Sequence, residues 1–192
     1  MALQYTQMPT DAFEKLQMNA GILVDSFAPA TATIGNILGA TTGGISVATN
    51  PTFVDIGEDV DNCPPNTKQL KRISSFDPTV SGTFLTCTPD VIASLIGAAD
   101  VDGTDATKVV PREQLEDGDF ADLWWIGDYS DKNTGANAGF LAVHLMDALN
   151  TTGFQIQSTK DGKGTMSFEY HAHYDMENQD VIPFEIYCKA GS

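Results

Sequence analysis

From residue 165 to residue 176 the side chains alternate without interruption. Thr165, Ser167, Glu169, His171, His173 and Asp175 are polar or small, while Met166, Phe168, Tyr170, Ala172, Tyr174 and Met176 are apolar. Successive strand side chains point to opposite faces, so this pattern predicts a strand with one dry face and one wet face. Such a strand needs partners beside it and a layer against its dry face. Residues 153–159 offer a partner, with Phe154 and Ile156 set against Gln155 and Gln157. The link Lys160-Asp161-Gly162-Lys163 contains Asp-Gly, a strong hairpin signal. At 184–189, Phe184, Ile186 and Cys188 alternate with Glu185, Tyr187 and Lys189, predicting a closing strand. Residues 140–149 fit two periods: Leu141, Val143, Leu145 and Leu149 suit a strand, and Leu141, Leu145 and Leu149 also suit a helix stripe. Because Asn150-Thr-Thr-Gly153 turns directly into the hairpin, the segment reads as a strand.

Helix signals are few. Thr88 can cap, Pro89 fits the first helical position, Asp90 favours the positive end of the dipole and Gly97 can end the helix, predicting one over 89–97. Asp11 and Glu14 after Pro9 predict a short N-terminal helix running to about Met18. The fold class expected is therefore mainly β, in a single domain over 1–192.

Two tracts depart from this rhythm. Residues 26–54 hold no charged side chain in 29 positions and are rich in Gly, Thr and Ala. They read as strand, long loop, strand, with the loop around Gly39-Ala-Thr-Thr-Gly-Gly44. A neutral loop of that length must satisfy its backbone on its own domain or on a partner subunit. Residues 90–131 hold 11 acidic side chains against Lys108 and Arg112, which reads as a solvated face. The whole chain has 26 Asp and Glu against 10 Lys and Arg, a formal charge of -16. That balance disfavours a protein that grips nucleic acid through phosphates, and equally one that docks on an anionic membrane. No stretch approaches 18 consecutive apolar residues, and the first 13 residues lack the layout of a signal peptide, so a cytosolic chain is expected. Cys63, Cys87 and Cys188 are odd in number and widely spaced, pointing to reduced thiols and away from a disulfide framework or zinc site.

Residues that could carry chemistry are sparse. Glu169-x-His171-x-His173 would share one strand face, and imidazole with carboxylate at that spacing could ligate a transition metal. Continued to Glu177, it matches the first half of a cupin-like motif. The second half is missing, because no His follows His173, and His144 could help only outside that order. A polar strand face is the competing reading. Gly39-x-x-x-Gly43-Gly44 lacks the Lys-Ser/Thr ending of a phosphate loop and reads as a turn. Trp124-Trp125 with Tyr129 could stack bases, but without basic neighbours they suit a core and an interface better. Asn150-Thr-Thr is a formal glycosylation sequon with no use in the cytosol. No nucleophile elbow is present. No catalytic residue and no cofactor are assigned, and a metal-binding β-barrel enzyme on Glu169, His171 and His173 stands as the alternative.

A series of phrases resembles the major tail (tail tube) proteins of long-tailed bacteriophages and prophages. They include Phe13-Glu-Lys-Leu-Gln-Met-Asn-Ala-Gly-Ile-Leu-Val, Ile37-Leu-Gly-Ala-Thr-Thr-Gly-Gly44 and Asp55-Ile-Gly-Glu-Asp-Val-Asp-Asn-Cys-Pro64. Leu70-Lys-Arg, Ser81-Gly-Thr-Phe, Val109-Val-Pro-Arg112 and Leu123-Trp-Trp-Ile-Gly-Asp-Tyr-Ser-Asp131 follow. Gly153-Phe-Gln, Phe168-Glu, His173-Tyr-Asp-Met and Val181-Ile-Pro-Phe-Glu-Ile-Tyr complete the order. These are structural phrases, and their joint presence carries the resemblance from Pro9 to Gly191.

The resemblance implies a β-sandwich with one flanking helix, contributing strands to a hexameric β-barrel ring that stacks into a hollow tube. No C-terminal immunoglobulin-like extension is expected. Double-stranded DNA would pass the lumen during ejection without tight binding, since an acidic wall repels phosphates. Partners would be further copies of the chain and other tail proteins, such as the terminator, distal tail and tape measure proteins. The place would be the virion tail, assembled in host cytoplasm, with a flexible, non-contractile tail favoured. A long inter-strand loop over about 39–66 would reach the neighbouring ring. It would do so through Gly43, Gly44, Asp55, Glu58, Asp59, Asp61, Lys68, Lys71 and Arg72. Glu169 and Asp175 are the acidic groups expected to face the lumen. Another tail component that forms rings without polymerising is a further alternative.

Overall fold

The structure is a computed structural model and describes residues 5, 8–129 and 138–191. It is mainly β, with one α-helix among the described residues. A 3-10 turn at Ala12–Lys15 leads into β1 (Gln17–Val24), followed by β2 (Phe27–Ala28) and β3 (Thr33–Ile34). Next come β4 (Ser46–Ala48), β5 (Pro51–Asp55), β6 (Lys71–Phe76) and β7 (Thr79–Phe84). After α1 (Pro89–Ile96) lie β8 (Ala99–Val101), β9 (Val109–Pro111) and β10 (Ala121–Tyr129). The chain ends with β11 (Phe140–Asn150), β12 (Gln155–Gln157), β13 (Thr165–His171) and β14 (Phe184–Lys189).

Residues 140–150 are a strand, as the turn after them implied. Through Leu145, β11 pairs antiparallel with β10 on one side and β14 on the other; at Leu149 and Asn150 it pairs with β13 instead. The change of partner occurs at a bulge. The β10–β11 register shifts between Ala121 and Leu123, and opposite that point Asp147 sits at φ +49°. A bulge adds a residue, bends the strand and increases its twist. The sheet therefore curls into two connected halves, β1–β10–β11–β14 and β11–β13–β7–β4, with β12 alongside β13.

Leu23, Trp125, Val143 and Leu145 from one half meet Val80, Phe84, Met166, Phe168 and Tyr170 from the other. Helix α1 adds Val91 and Leu95 to this core. Its start follows the sequence signals: the Thr88 hydroxyl accepts from the Val91 N–H at 3.3 Å, Pro89 opens the helix, and Gly97 closes it at φ +93°. A second apolar cluster covers the opposite face of the first half, where Val24, Trp124, Phe140 and Ala142 lie beneath Phe27 of β2.

Four expectations need correction. The N-terminal helix is only a 3-10 turn, because pairing Leu23 and Val24 with Trp125 and Trp124 buries both fully and draws Gln17 onward into β1. The Asp11 carboxylate bonds Lys15 in place of capping a backbone N–H. Strand β13 stops at His171: the Ala172 N–H goes to the Pro78 carbonyl and the His173 N–H to the Met146 carbonyl, so the ladder is abandoned. Tyr174 and Met176 are consequently exposed, although the alternation placed them inside. The β12–β13 hairpin exists, but its loop runs over 158–164 with Asp161 at φ +60°, so Asp-Gly does not make a two-residue turn. Finally, the single long loop expected over 39–66 is three separate pieces. Residues 40–42 lie along β7, with Leu85 N–H to Ala40 O at 2.7 Å and Thr42 N–H to Thr83 O at 3.0 Å. Strand β4 follows on the same edge, and β5 then begins a hairpin with β6.

Candidate functional site

The β5–β6 hairpin is the least supported part of the fold. Its strands pair with each other as an isolated two-stranded sheet. Such a ribbon is marginal in water without further packing. At its base, Phe76 meets Phe184 edge-on at 5.4 Å, the Phe76 N–H donates to the Tyr174 hydroxyl, and the Asn50 amide donates to the Asp77 carbonyl. Beyond that base, Phe53, Val54, Ile56, Val60 and Ile73 are all exposed. Phe53 lies directly opposite Ile73, and the Lys71 ammonium stands 6.0 Å from the centre of the Phe53 ring.

The residues predicted to contact a neighbour divide by position. Gly43 and Gly44 form a left-handed turn at φ +77° and +85° before β4, with open space where a Cβ would stand. Asp55, Glu58, Asp59, Asp61, Lys68, Lys71 and Arg72 all belong to the hairpin or its tip. Asp55 holds the tip together: its carboxylate accepts from the Gly57 N–H at 3.0 Å and the Asn66 N–H at 2.8 Å. Lys71 donates to the Asn66 side chain, and Arg72 donates to the carbonyls of Gln69 and Lys71. Among the described residues, no ion pair joins these acids to these bases within the chain.

The acidic tract is more than a solvated face, because Arg112 organises its centre. Its guanidinium reaches Asp119 at 2.5 Å, Asp100 at 2.7 Å and Glu116 at 3.5 Å, tying β8, β9 and the turn at Asp117–Asp119 together. Hydrogen bonding to Asp119, and then the charges of Asp100, Asp119 and Glu116, hold Arg112 protonated more firmly than usual. Asp102 is likewise taken up by Lys108 at 3.3 Å. Of the Leu123–Asp131 phrase, Ser130 and Asp131 lie outside the described residues. Trp124 and Trp125 are both buried, on opposite faces of β10.

The three metal-ligand candidates do not converge. Nδ1 of His171 lies 2.7 Å from Asp77, and its Nε2 is 3.7 Å from Glu169. His173 bonds the Asp147 carbonyl through Nδ1 at 3.0 Å and stands edge-on to Phe120. Among the described residues, no three His, Cys, Asp or Glu side chains come together as a metal site. His144 is stacked on Trp124 with ring centres 4.0 Å apart, between Asp122 at 3.1 Å and Glu185 at 3.9 Å. Cys63, Cys87 and Cys188 are free thiols.

Glu169 lies on β13, as expected. Asp175 does not, since the strand ends four residues earlier; its carboxylate accepts from the Glu177 N–H in a turn. There it borders a cleft of about 700 Å³ lined by Asp117, Phe120, Asp147, His173, Tyr174, Asp175, Met176 and Glu177. Sequence reasoning missed this cleft, because its carboxylates come from three distant segments. Burial and the charges of Asp122 and Asp175 push the Asp147 carboxyl above its ordinary range, against the opposing pull of His173 and His144.

Compared with models of known protein families and with curated proteins, the chain matches none.

Proposed function

We propose that this chain is a structural subunit of a bacteriophage or prophage tail tube, polymerising as stacked hexameric rings around a conduit for double-stranded DNA. The observation that carries this reading is the β5–β6 hairpin, whose apolar side chains are exposed beside charges of both signs. Exposed apolar surface of this kind, held on a ribbon that cannot stabilise itself, marks a surface completed by association. The curled sheet supports the same reading. Among the described residues, terminal strand β4 has no partner on its outer edge, and an apolar cleft of about 690 Å³ lined by Ile45, Val47, Trp125, Leu141 and Ile186 lies open beside it. Edge strands left bare invite pairing with other chains, and closing them into a barrel removes that hazard.

In this reading the two sheet halves act as a β-sandwich, and strands from six copies complete the ring. Each copy brings a formal charge of -16, so DNA passes a wall that repels it. At physiological salt each charge reaches only about 8–10 Å, which lines the wall without filling the bore. Glu169, on the outward face of β13, is the lumen-facing acid this reading favours. Tubes would join terminator, distal tail and tape measure proteins at their ends.

Negative-stain microscopy of concentrated protein tests the proposal: long tubes of uniform width are expected. Isolated rings or persistent monomers would overturn polymerisation. The double variant Lys71→Glu, Arg72→Glu is expected to fold normally and form no tubes; normal tubes from it would remove the hairpin from the explanation.

A further inference from the structure

The β5–β6 hairpin is the far end of a longer ribbon. Val47 and Ala48 of β4 face Val80 and Thr79 of β7, and Pro51 and Thr52 of β5 face Phe76 and Ser75 of β6. One register runs through both pairs, so Thr49 and Asn50 fall opposite Pro78 and Asp77. Between them the ladder is interrupted at a joint. Pro78 has no N–H to give it, and Asn50 stands at φ +37°. The Asp77 N–H still donates to the Asn50 carbonyl at 3.3 Å, and the Asn50 side-chain amide donates to the Asp77 carbonyl at 3.1 Å. A third segment runs alongside this joint. In the register that pairs His171 with Thr79, Ala172 comes opposite Pro78 and Tyr174 opposite Phe76. The contacts follow that register. His171 Nδ1 lies 2.7 Å from the Asp77 carboxylate, the Ala172 N–H donates to the Pro78 carbonyl at 3.0 Å, and the Phe76 N–H donates to the Tyr174 hydroxyl at 3.2 Å.

We infer that residues 171–174 are a buttress that fixes the direction in which the hairpin projects, with His171 and Tyr174 as its positioning side chains. A two-stranded ribbon has little to hold it straight where its ladder is broken. Phe76 against Phe184 is a ring contact, which anchors the base without setting an angle. Hydrogen bonds are directional, and here three of them reach the consecutive residues Phe76, Asp77 and Pro78 from one neighbouring segment. The buttress accounts for the alternation that runs on to Tyr174 although β13 stops at His171: the chain keeps its place beside the ribbon after leaving the ladder. It also accounts for Tyr174, which is 44% exposed. A ring exposed that far adds little to the core, and its hydroxyl carries its role. Only the consequence for assembly rests on the tube reading: a hairpin already held in one direction joins the next copy without the entropy cost of ordering it first.

Residual dipolar couplings of dispersed protein test the buttress, because they report the direction of each N–H bond relative to the whole molecule. In the unaltered chain, the couplings of β5–β6 and of β10–β11 are expected to fit one common alignment. In the double variant His171→Ala, Tyr174→Phe, the hairpin couplings are expected to shrink about twofold and lose that fit, as motion averages them. Those of β10–β11 should stay as they were, which shows that the core is folded. His171→Gln with Tyr174 kept retains a side-chain donor for Asp77 and is expected to keep the common fit. Hairpin couplings that still match the body in the double variant would overturn the buttress and leave the tube reading intact. In assembly, the double variant is expected to raise the critical concentration for tubes about tenfold. Tubes at the unaltered concentration from a loosened hairpin would overturn its consequence for assembly. An unaltered chain that never forms tubes would overturn the tube reading, and the couplings would still decide the buttress.

Discussion

Asn150 ties three elements together from inside the core. It is 3% exposed; its amide donates to the Leu95 carbonyl at 2.6 Å, and its oxygen accepts from the Glu169 N–H at 2.9 Å and the Thr152 hydroxyl at 3.1 Å. The end of α1, the end of β11 and the middle of β13 are held by one side chain. That burial also removes the asparagine of the formal sequon from any modifying enzyme. Asn150→Ala leaves a helix carbonyl and a strand N–H without partners, which costs about 1–3 kcal/mol each when such groups stay buried. The urea midpoint should fall accordingly. Asp147 works in the opposite sense. Its carboxyl titrates higher folded than unfolded, where 3.8 is usual, so the folded chain holds the extra proton. By linkage, stability is lost as pH rises from that value through the raised one. Asp147→Asn tolerates the positive φ and carries no charge. Urea unfolding across acidic to neutral pH should show the variant gaining on the unaltered chain as pH rises. A constant difference at every pH would refute the assignment.

Among the elements, α1 and the β5–β6 hairpin are opposite cases. The helix has only eight residues, too short to persist alone, and it survives because its cap is complete and Leu95 is fully buried. Burying a leucine contributes about 1.5–3 kcal/mol. Thr88→Ala should cost about 1 kcal/mol, readable as a lower melting temperature without loss of fold. Everything needed to place this helix lies within ten consecutive residues. The hairpin is not written that way. Residues 51–55 and 71–76 each look like strand, but the 15 residues between them hide the pairing, and the uncharged tract disguised β4 and β5 as one loop with its neighbours. The end of β13 was equally hidden. Its alternation continues past His171, and only the pull of the Pro78 and Met146 carbonyls breaks the ladder there.

At the scale of the whole molecule, burial and strand pairing are unevenly divided between regions. β10 and β11 are central, paired on both sides and buried on both faces, while the hairpin and the outer edges of β4, β12 and β14 are bare among the described residues. Native exchange follows such differences in burial and pairing. In dispersed protein, amides of the hairpin should exchange fastest and those of β10 and β11 slowest. On assembly, protection should rise in the hairpin first. An unchanged hairpin in assembled material would separate it from the interface.

Local chemistry, read from the chain alone, established the β-rich class, the strand over residues 140–149 and the capped helix. Each of these depends on neighbours two to four positions apart, where period and capping offsets operate. The tertiary structure decided the rest. It set Asn150 against Leu95, 55 positions away, and His171 against Asp77, 94 away; it wrapped Arg112 in carboxylates and gathered Asp117, Asp147 and Glu177 into one cleft. No spacing encodes the long-range contacts, because segments far apart in the chain meet only once the tertiary fold is formed.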